Sequence, residues 1–249
     1  MSGWVVIAGL GPGNDALITP EVSDILEQAT DVIGYIPYVE RVAARAGLTL
    51  HPTDNRVEID RSNHALELAS AGRRVVVVSS GDPGVFAMAA AVFEAVEAGE
   101  PSWRNLDIRV LPGITAMLAA SAASGAPLGH DFCAINLSDN LKPWSLIEHR
   151  LRMAARGDFA MSFYNPRSKS RAEGFEKTLK ILNEECQDAR PVIFARNVSR
   201  PDQTIKICAL NECTADMADM RTMVIVGSSR TRIIDRDGAP LVYTPRSAL

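Results

Sequence analysis

Apolar runs that end in glycine and proline organise the first half of the chain. Trp4-Val5-Val6-Ile7-Ala8 runs into Gly9-Leu10-Gly11-Pro12-Gly13-Asn14, and Val75-Val76-Val77-Val78 into Ser79-Ser80-Gly81-Asp82-Pro83-Gly84. A third run over 106–111 leads into Pro112-Gly113-Ile114-Thr115, and Asp31-Val32-Ile33-Gly34-Tyr35-Ile36 supplies another. Unbroken β-branched stretches predict strands buried on both faces, as in a parallel sheet. Helices are predicted between them. Thr19-Pro20-Glu21 offers a hydroxyl cap, a proline at the first helical position and an acid in the first turn. Val22, Ile25, Leu26 and Ala29 then form one apolar stripe. Further helices are expected over 40–47, over 62–71 with Ala65, Leu66, Leu68 and Ala69 inward, over 86–98 and over 116–124.

Gly125-Ala126-Pro127-Leu128-Gly129 interrupts this rhythm, and a domain boundary is expected in or just before it. Beyond it, strand patterns fall near 132–137, 159–164, 191–196, 204–208 and 222–227, with helices near 145–155 and 170–185. Short connections around Thr204-Ile205-Lys206-Ile207 and Ile233-Ile234 predict hairpins and a mixed sheet. The fold class is therefore α/β in two domains, 1–114 and 115–249. The N-terminal sheet is expected to be mostly parallel and the C-terminal one mixed, with helices on both faces.

Composition narrows the function classes. The chain has 249 residues, 47% of them apolar, enough for a large core, and a net charge of −4 that argues against a nucleic-acid-coating protein. No basic stretch precedes an apolar leader, and no apolar run approaches the roughly 18 residues of a membrane span, so a cytoplasmic protein is expected. Cys133, Cys186, Cys208 and Cys213 form no CxxC pair. Neither a zinc site nor a disulfide framework is expected, only reduced thiols.

Ligands of open α/β sheets sit beyond the carboxyl ends of the strands, where the glycine turns lie. A dinucleotide fingerprint fails here on three points. Position 14 is Asn where a third glycine belongs, the helix start signal waits until Thr19, and Asp31 begins its strand instead of ending it. A P-loop fails because no GK[ST] follows. For Gly9-Leu10-Gly11 a plain tight turn stays open. Asp82 has two readings, as the cap of a helix beginning near Val85 or as an acid facing a cleft. Three turns poor in side chains suit a ligand recognised largely through backbone groups.

With Gly9-Leu10-Gly11-Pro12-Gly13, Ser80-Gly81-Asp82-Pro83, Pro112-Gly113-Ile114-Thr115-Ala116, Phe163-Tyr164-Asn165-Pro166 and Met223-Val224-Ile225-Val226-Gly227 in this order, the chain resembles the tetrapyrrole methylases. These are methyltransferases of corrin and sirohaem synthesis that use S-adenosylmethionine and release S-adenosylhomocysteine. Asp54-Asn55-Arg56-Val57-Glu58, Gly129-His130-Asp131-Phe132, Ser138-Asp139-Asn140-Leu141-Lys142-Pro143-Trp144, Tyr164-Asn165-Pro166-Arg167-Ser168 and Arg196-Asn197-Val198 resemble the branch that methylates precorrin-3B at C17 with ring contraction. The resemblance implies a homodimer with the donor in a cleft between two domains. It carries donor contacts to Leu10, Gly11, Pro12, Ser80, Gly81, Asp82, Val85, Thr115, Ala116, Tyr164, Asn197, Thr222 and Met223; relatives often have methionine where Tyr164 stands. The implied tetrapyrrole is rimmed with carboxylates, for which Arg56, Arg61, Lys142 and Arg167, with Lys169 and Arg171 beside them, are candidates. Ring contraction starts from a hydroxyl at C20, so a general base is implied. Asp139 and His130 are preferred over Asp82 and Glu58. The cobalt-containing counterpart of the substrate, and a non-catalytic tetrapyrrole carrier, are the alternatives.

Overall fold

The computed structural model describes residues 3–55, 57–186 and 189–247, and the chain divides into two compact units, Met1–Thr115 and Ala116–Leu249. In the first unit, β1 (Trp4–Gly9), β2 (Asp31–Tyr35), β3 (Thr49–Thr53), β4 (Arg74–Ser79) and β5 (Asp107–Leu111) form one sheet in the order β3-β2-β4-β1-β5. Every pairing in it is parallel. The apolar runs divide with the period of two that a strand imposes. Val5, Ile7, Ile33, Val75 and Val77 enter one core layer, with residues of α3 (Glu58–Ser70) and α4 (Met88–Ala98). Val6, Ala8, Val32, Val76 and Val78 enter the other, with Val22, Ile25 and Ala29 at α1 (Pro20–Gln28). Thr19 caps α1, its Oγ1 accepting from Val22 N at 3.3 Å.

Several boundaries depart from the sequence expectation. Residues 40–47 are not helical. The helix there is α2 (Ile36–Val39), one turn with Pro37 near its start, and the chain leaves it through turns and bends. Strand β3 was not anticipated: Thr-Leu-His-Pro-Thr is half-polar and carries a proline, which an edge strand tolerates. Helix α3 begins at Glu58, earlier than 62. Helix α4 begins at Met88 because Phe86 takes a left-handed backbone (φ 53°), which a helix cannot contain.

In the second unit, α5 (Ala116–Ser124) leads into β6 (Gly125–Ala126), and α6 (Trp144–Arg156) and α7 (Gly174–Glu185) pack together. Strands β7 (Phe132–Asn136), β8 (Ala160–Tyr164), β9 (Pro191–Arg196), β10 (Thr204–Ala209) and β11 (Thr222–Val226) form a mixed sheet in the order β10-β9-β11-β8-β7, with only β7 and β8 parallel. Hairpin β12 (Arg232–Ile234) and β13 (Leu241–Tyr243) joins β6 in a small third sheet. Phe163 and Phe175, both fully buried, anchor the core under α6 and α7. Among the described residues no helix is long and apolar enough to cross a membrane.

Asp31 closes the end of the first sheet opposite the glycine turns. It is 2% exposed and accepts hydrogen bonds from Arg73 Nε (2.8 Å), His51 Nε2 (2.9 Å) and Thr30 Oγ1 (2.7 Å). Burial alone would raise its pKa, but the donors from Arg73, His51 and Thr30 outweigh burial and hold it below the usual carboxylate value. A carboxyl depressed in the folded state stabilises the fold above its unfolded pKa, near 3.9, and loses that stabilisation as pH falls through the folded value. Asp31→Asn is expected to cost about 1–3 kcal/mol at neutral pH and to shrink the loss of stability below about pH 4. Denaturant unfolding of both proteins across that range checks it.

Candidate functional site

In the first unit, three turns meet at the carboxyl ends of the neighbouring strands β4, β1 and β5. Gly11 and Gly81 exchange backbone bonds: Gly11 N donates to Gly81 O (3.2 Å) and Gly81 N to Gly11 O (2.9 Å). Both adopt left-handed backbone, φ +66° and +65°, which glycine alone takes without strain. Leu10 N donates to Ser79 O (2.8 Å), and Ser80 Oγ lies 3.5 Å from Gly11 O. The third turn packs directly on the first two. A Cβ on Gly9 would stand 2.6 Å from Gly81 O and 2.7 Å from Gly113 N.

Asp82 ties the turns together. Its Oδ1 accepts from Gly84 N at 2.8 Å and its Oδ2 from Gly113 N at 3.1 Å. It is therefore no cap for α4, whose N-cap is Ala87. Leu10, Gly11, Pro12, Gly81 and Thr115 are buried, Ser80 and Val85 half-buried. Across 9–14, 79–85 and 112–116 Asp82 is the one charged residue. The turns themselves offer no basic residue to a phosphate, which agrees with the failed dinucleotide and P-loop readings.

At the same sheet edge Arg61 is 4% exposed. Its guanidinium donates to Thr53 Oγ1 (2.7 Å), Asp54 O (2.8 Å) and Met88 Sδ (3.1 Å). No carboxylate is among these partners, and burial lowers its pKa. Arg56 lies outside the described residues.

In the second unit, the carboxyl ends of β7, β8 and β9 and the start of β11 share one edge of the sheet, as the strand register requires. Tyr164, Asn165, Asn197, Thr222 and Met223 all sit there. Tyr164 OH accepts from Met117 N (3.4 Å) at the start of α5, which begins with half-buried Ala116. Asn197, left-handed at φ +49°, gives its amide to Asp202 Oδ2 at 2.6 Å. Thr222 Oγ1 donates to Asp219 Oδ1 (2.8 Å).

Asn136 organises this edge, and sequence reasoning did not single it out. Its Oδ1 accepts from Ser138 N (2.9 Å) and Asn165 Nδ2 (3.1 Å), and its backbone oxygen from Lys142 Nζ (2.6 Å). The signal was present as Asn-Leu-Ser, whose Asn–Ser spacing suits an Asx turn. Burial, with Arg150 nearby, lowers the pKa of Lys142. Arg171 Nε lies 4.0 Å from Asp139 Oδ1, and Arg167 Nε is buried without a hydrogen-bond partner.

The structure separates the two base candidates. Asp139 follows the carboxyl end of β7, near Lys142 and Arg171. His130 precedes its amino end, where its Nδ1 accepts from Asp131 N (2.7 Å). The five residues of β7 hold its two ends about 13 Å apart.

Known proteins match this chain along its length. A family model described as tetrapyrrole (corrin/porphyrin) methylases matches residues 5–214. The chain is 49% identical over 247 residues to a precorrin-3B C(17)-methyltransferase of Sinorhizobium sp, covering 99% of this chain and 97% of that protein. It is 37% identical to a probable cobalt-factor III C(17)-methyltransferase of Salmonella typhimurium, over 96% of this chain and 97% of that one. The crystal structure of the methyltransferase CobJ matches with a TM-score of 0.94 at 66% identity, covering 98% of this chain and 100% of that one. These findings agree with the family and fold expected from the motifs.

Proposed function

Because the chain belongs to the tetrapyrrole (corrin/porphyrin) methylases, we propose that it methylates precorrin-3B at C17 with ring contraction, using S-adenosylmethionine, in building the corrin ring of cobalamin. The observation that carries this reading is the full-length 49% identity to a precorrin-3B C(17)-methyltransferase, joined to a turn cluster whose one charge is negative. Bound S-adenosylmethionine would supply an electrophilic methyl group on a positively charged sulfonium. The residues present fit such a donor: backbone and small side chains for close approach, Asp82 for charge, and no basic residue within the three turns, the guanidinium at Leu10 O being paired with Asp15.

Each unit contributes its own proposed donor contacts. The first brings Leu10, Gly11, Pro12, Ser80, Gly81, Asp82, Val85 and Thr115, and the second Ala116, Tyr164, Asn197, Thr222 and Met223. Methyl transfer is an in-line displacement, so the protein's work is to align donor and acceptor and to exclude water. Arg61, Lys142 and Arg167 are proposed for the carboxylates of the macrocycle. Asp139 is proposed to take the proton of the ring hydroxyl, since it shares a sheet edge with Asn136, Lys142 and Tyr164 and His130 does not. The same reading carries a homodimer in the cytoplasm.

The test is turnover with S-adenosylmethionine and either precorrin-3B or cobalt-factor III, followed by product mass and absorbance. A ring-contracted product one methyl heavier, formed faster from precorrin-3B, is expected. Faster turnover of cobalt-factor III would favour the second reading, which rests on the 37% identical relative. Folded protein with no product from either would overturn both. In the same assay Asp139→Asn is expected to slow turnover about 10²–10⁴-fold and His130→Ala to leave it within a few-fold.

A further inference from the structure

We infer that Arg41 is a positioning residue for donor binding: it fixes the first glycine turn in the conformation that receives the donor. The inference rests on the reading of that turn as a donor wall. Arg41 lies in the turn that follows α2, where its N–H donates to Tyr38 O at 3.2 Å. Its Nη2 reaches back 31 residues to Leu10 O (2.8 Å) and also donates to Asp15 Oδ1 (3.0 Å). Asp15 opens the short 3-10 turn Asp15–Leu17, which Asn14 caps through Ala16 N (3.0 Å). One guanidinium thus joins the start of the loop between β1 and α1 to its middle.

The Leu10–Gly11 peptide unit is held from both sides. Its oxygen accepts from Arg41 and its N–H donates to Gly81 O. A peptide next to a left-handed glycine is free to flip unless both its polar groups are engaged, and here the oxygen is engaged by Arg41. Loss of Arg41 would leave the Leu10 oxygen without that donor and the peptide unit held through Gly11 N alone.

The placement carries a cost to stability. The Arg41 side chain is 14% exposed, yet its Nη1 is buried with no hydrogen-bond partner. A buried, unmatched donor on a charged group is destabilising, and such costs are tolerated where a site needs the group. Lysine would not substitute fully, because its ammonium is a more strongly hydrated charge on a flexible stem, whereas the rigid guanidinium presents one nitrogen, Nη2, to Leu10 O and Asp15 together.

Calorimetric titration with S-adenosylhomocysteine, alongside steady-state kinetics and thermal unfolding, tests the inference on wild type, Arg41→Ala and Arg41→Lys. The alanine variant should bind S-adenosylhomocysteine about tenfold to a hundredfold more weakly. Its KM for S-adenosylmethionine should rise in step, with kcat at saturating donor within about twofold and the acceptor KM unchanged. Arg41→Lys should fall between, and it carries the test should the alanine variant not fold. Folded Arg41→Ala that binds as wild type does, or that changes only the acceptor KM, overturns the role of Arg41 while leaving the donor wall intact. Wild-type protein that binds no S-adenosylhomocysteine overturns the donor wall itself and the role of Arg41 with it.

Discussion

Replacing Gly113 with alanine should weaken S-adenosylhomocysteine binding by at least about a hundredfold, some 2.7 kcal/mol. A Cβ there would stand 2.8 Å from Gly9 O and closer still to Gly81 O. Both are backbone oxygens of the other two turns, so no side chain can rotate away. The added methyl must push the third turn off the first two, stretching the bond from Gly113 N to Asp82. Overpacking of this kind usually costs about 1–3 kcal/mol of stability. Its effect on binding should be larger than on stability, because the displaced atoms form the proposed donor wall. Gly174→Ala is the control: a Cβ there meets only Trp144, at 3.6 Å, at the start of α7. It should leave binding unchanged and stability within about 1 kcal/mol of wild type.

Asp82→Ala is expected to be nearly as severe for binding, for a different reason. The carboxylate accepts two backbone N–H groups, and charge-assisted bonds of this type contribute about 1.5–3 kcal/mol each. Removing them frees Gly84 and Gly113 together and deletes the one charge of the three turns. A hundredfold loss of affinity, about 2.7 kcal/mol, is the expected scale. Asp82→Asn separates the two contributions. Its amide oxygen can keep the bond from Gly84 N, but its nitrogen cannot accept from Gly113 N. An intermediate affinity is expected. Full affinity in Asp82→Asn would show that neither the charge nor the Gly113 bond matters for the donor. Calorimetry on both variants, with circular dichroism to confirm folding, gives the comparison.

The strands were readable because parallel strands buried on both faces leave an unbroken β-branched run, as in Val75-Val76-Val77-Val78. The start of α1 was readable because Thr19-Pro20 is a capping signal that acts within four residues. What escaped the sequence depends on partners far along the chain. Strand β3 exists because β2 offers it an edge, and its own residues hardly favour it. Asp82 could be read as a helix cap or as an acid facing a cleft; Phe86 takes a left-handed backbone and delays α4, and the carboxylate binds Gly113, 31 residues on. Arg41 fell in a stretch read as helix, and only the folded chain brings it to Leu10. The three motif turns were visible as turns; that their backbones touch, with no room for a Cβ on Gly9 or Gly113, was not.

Amide hydrogen exchange with and without saturating S-adenosylhomocysteine tests the central claim most directly, because it locates the ligand on the chain. The account predicts slowed exchange within residues 9–14, 79–85 and 112–116, with the opposite end of the first sheet around Asp31 and His51 unchanged. Bound ligand that protects other segments and leaves these three turns exchanging as before would contradict it.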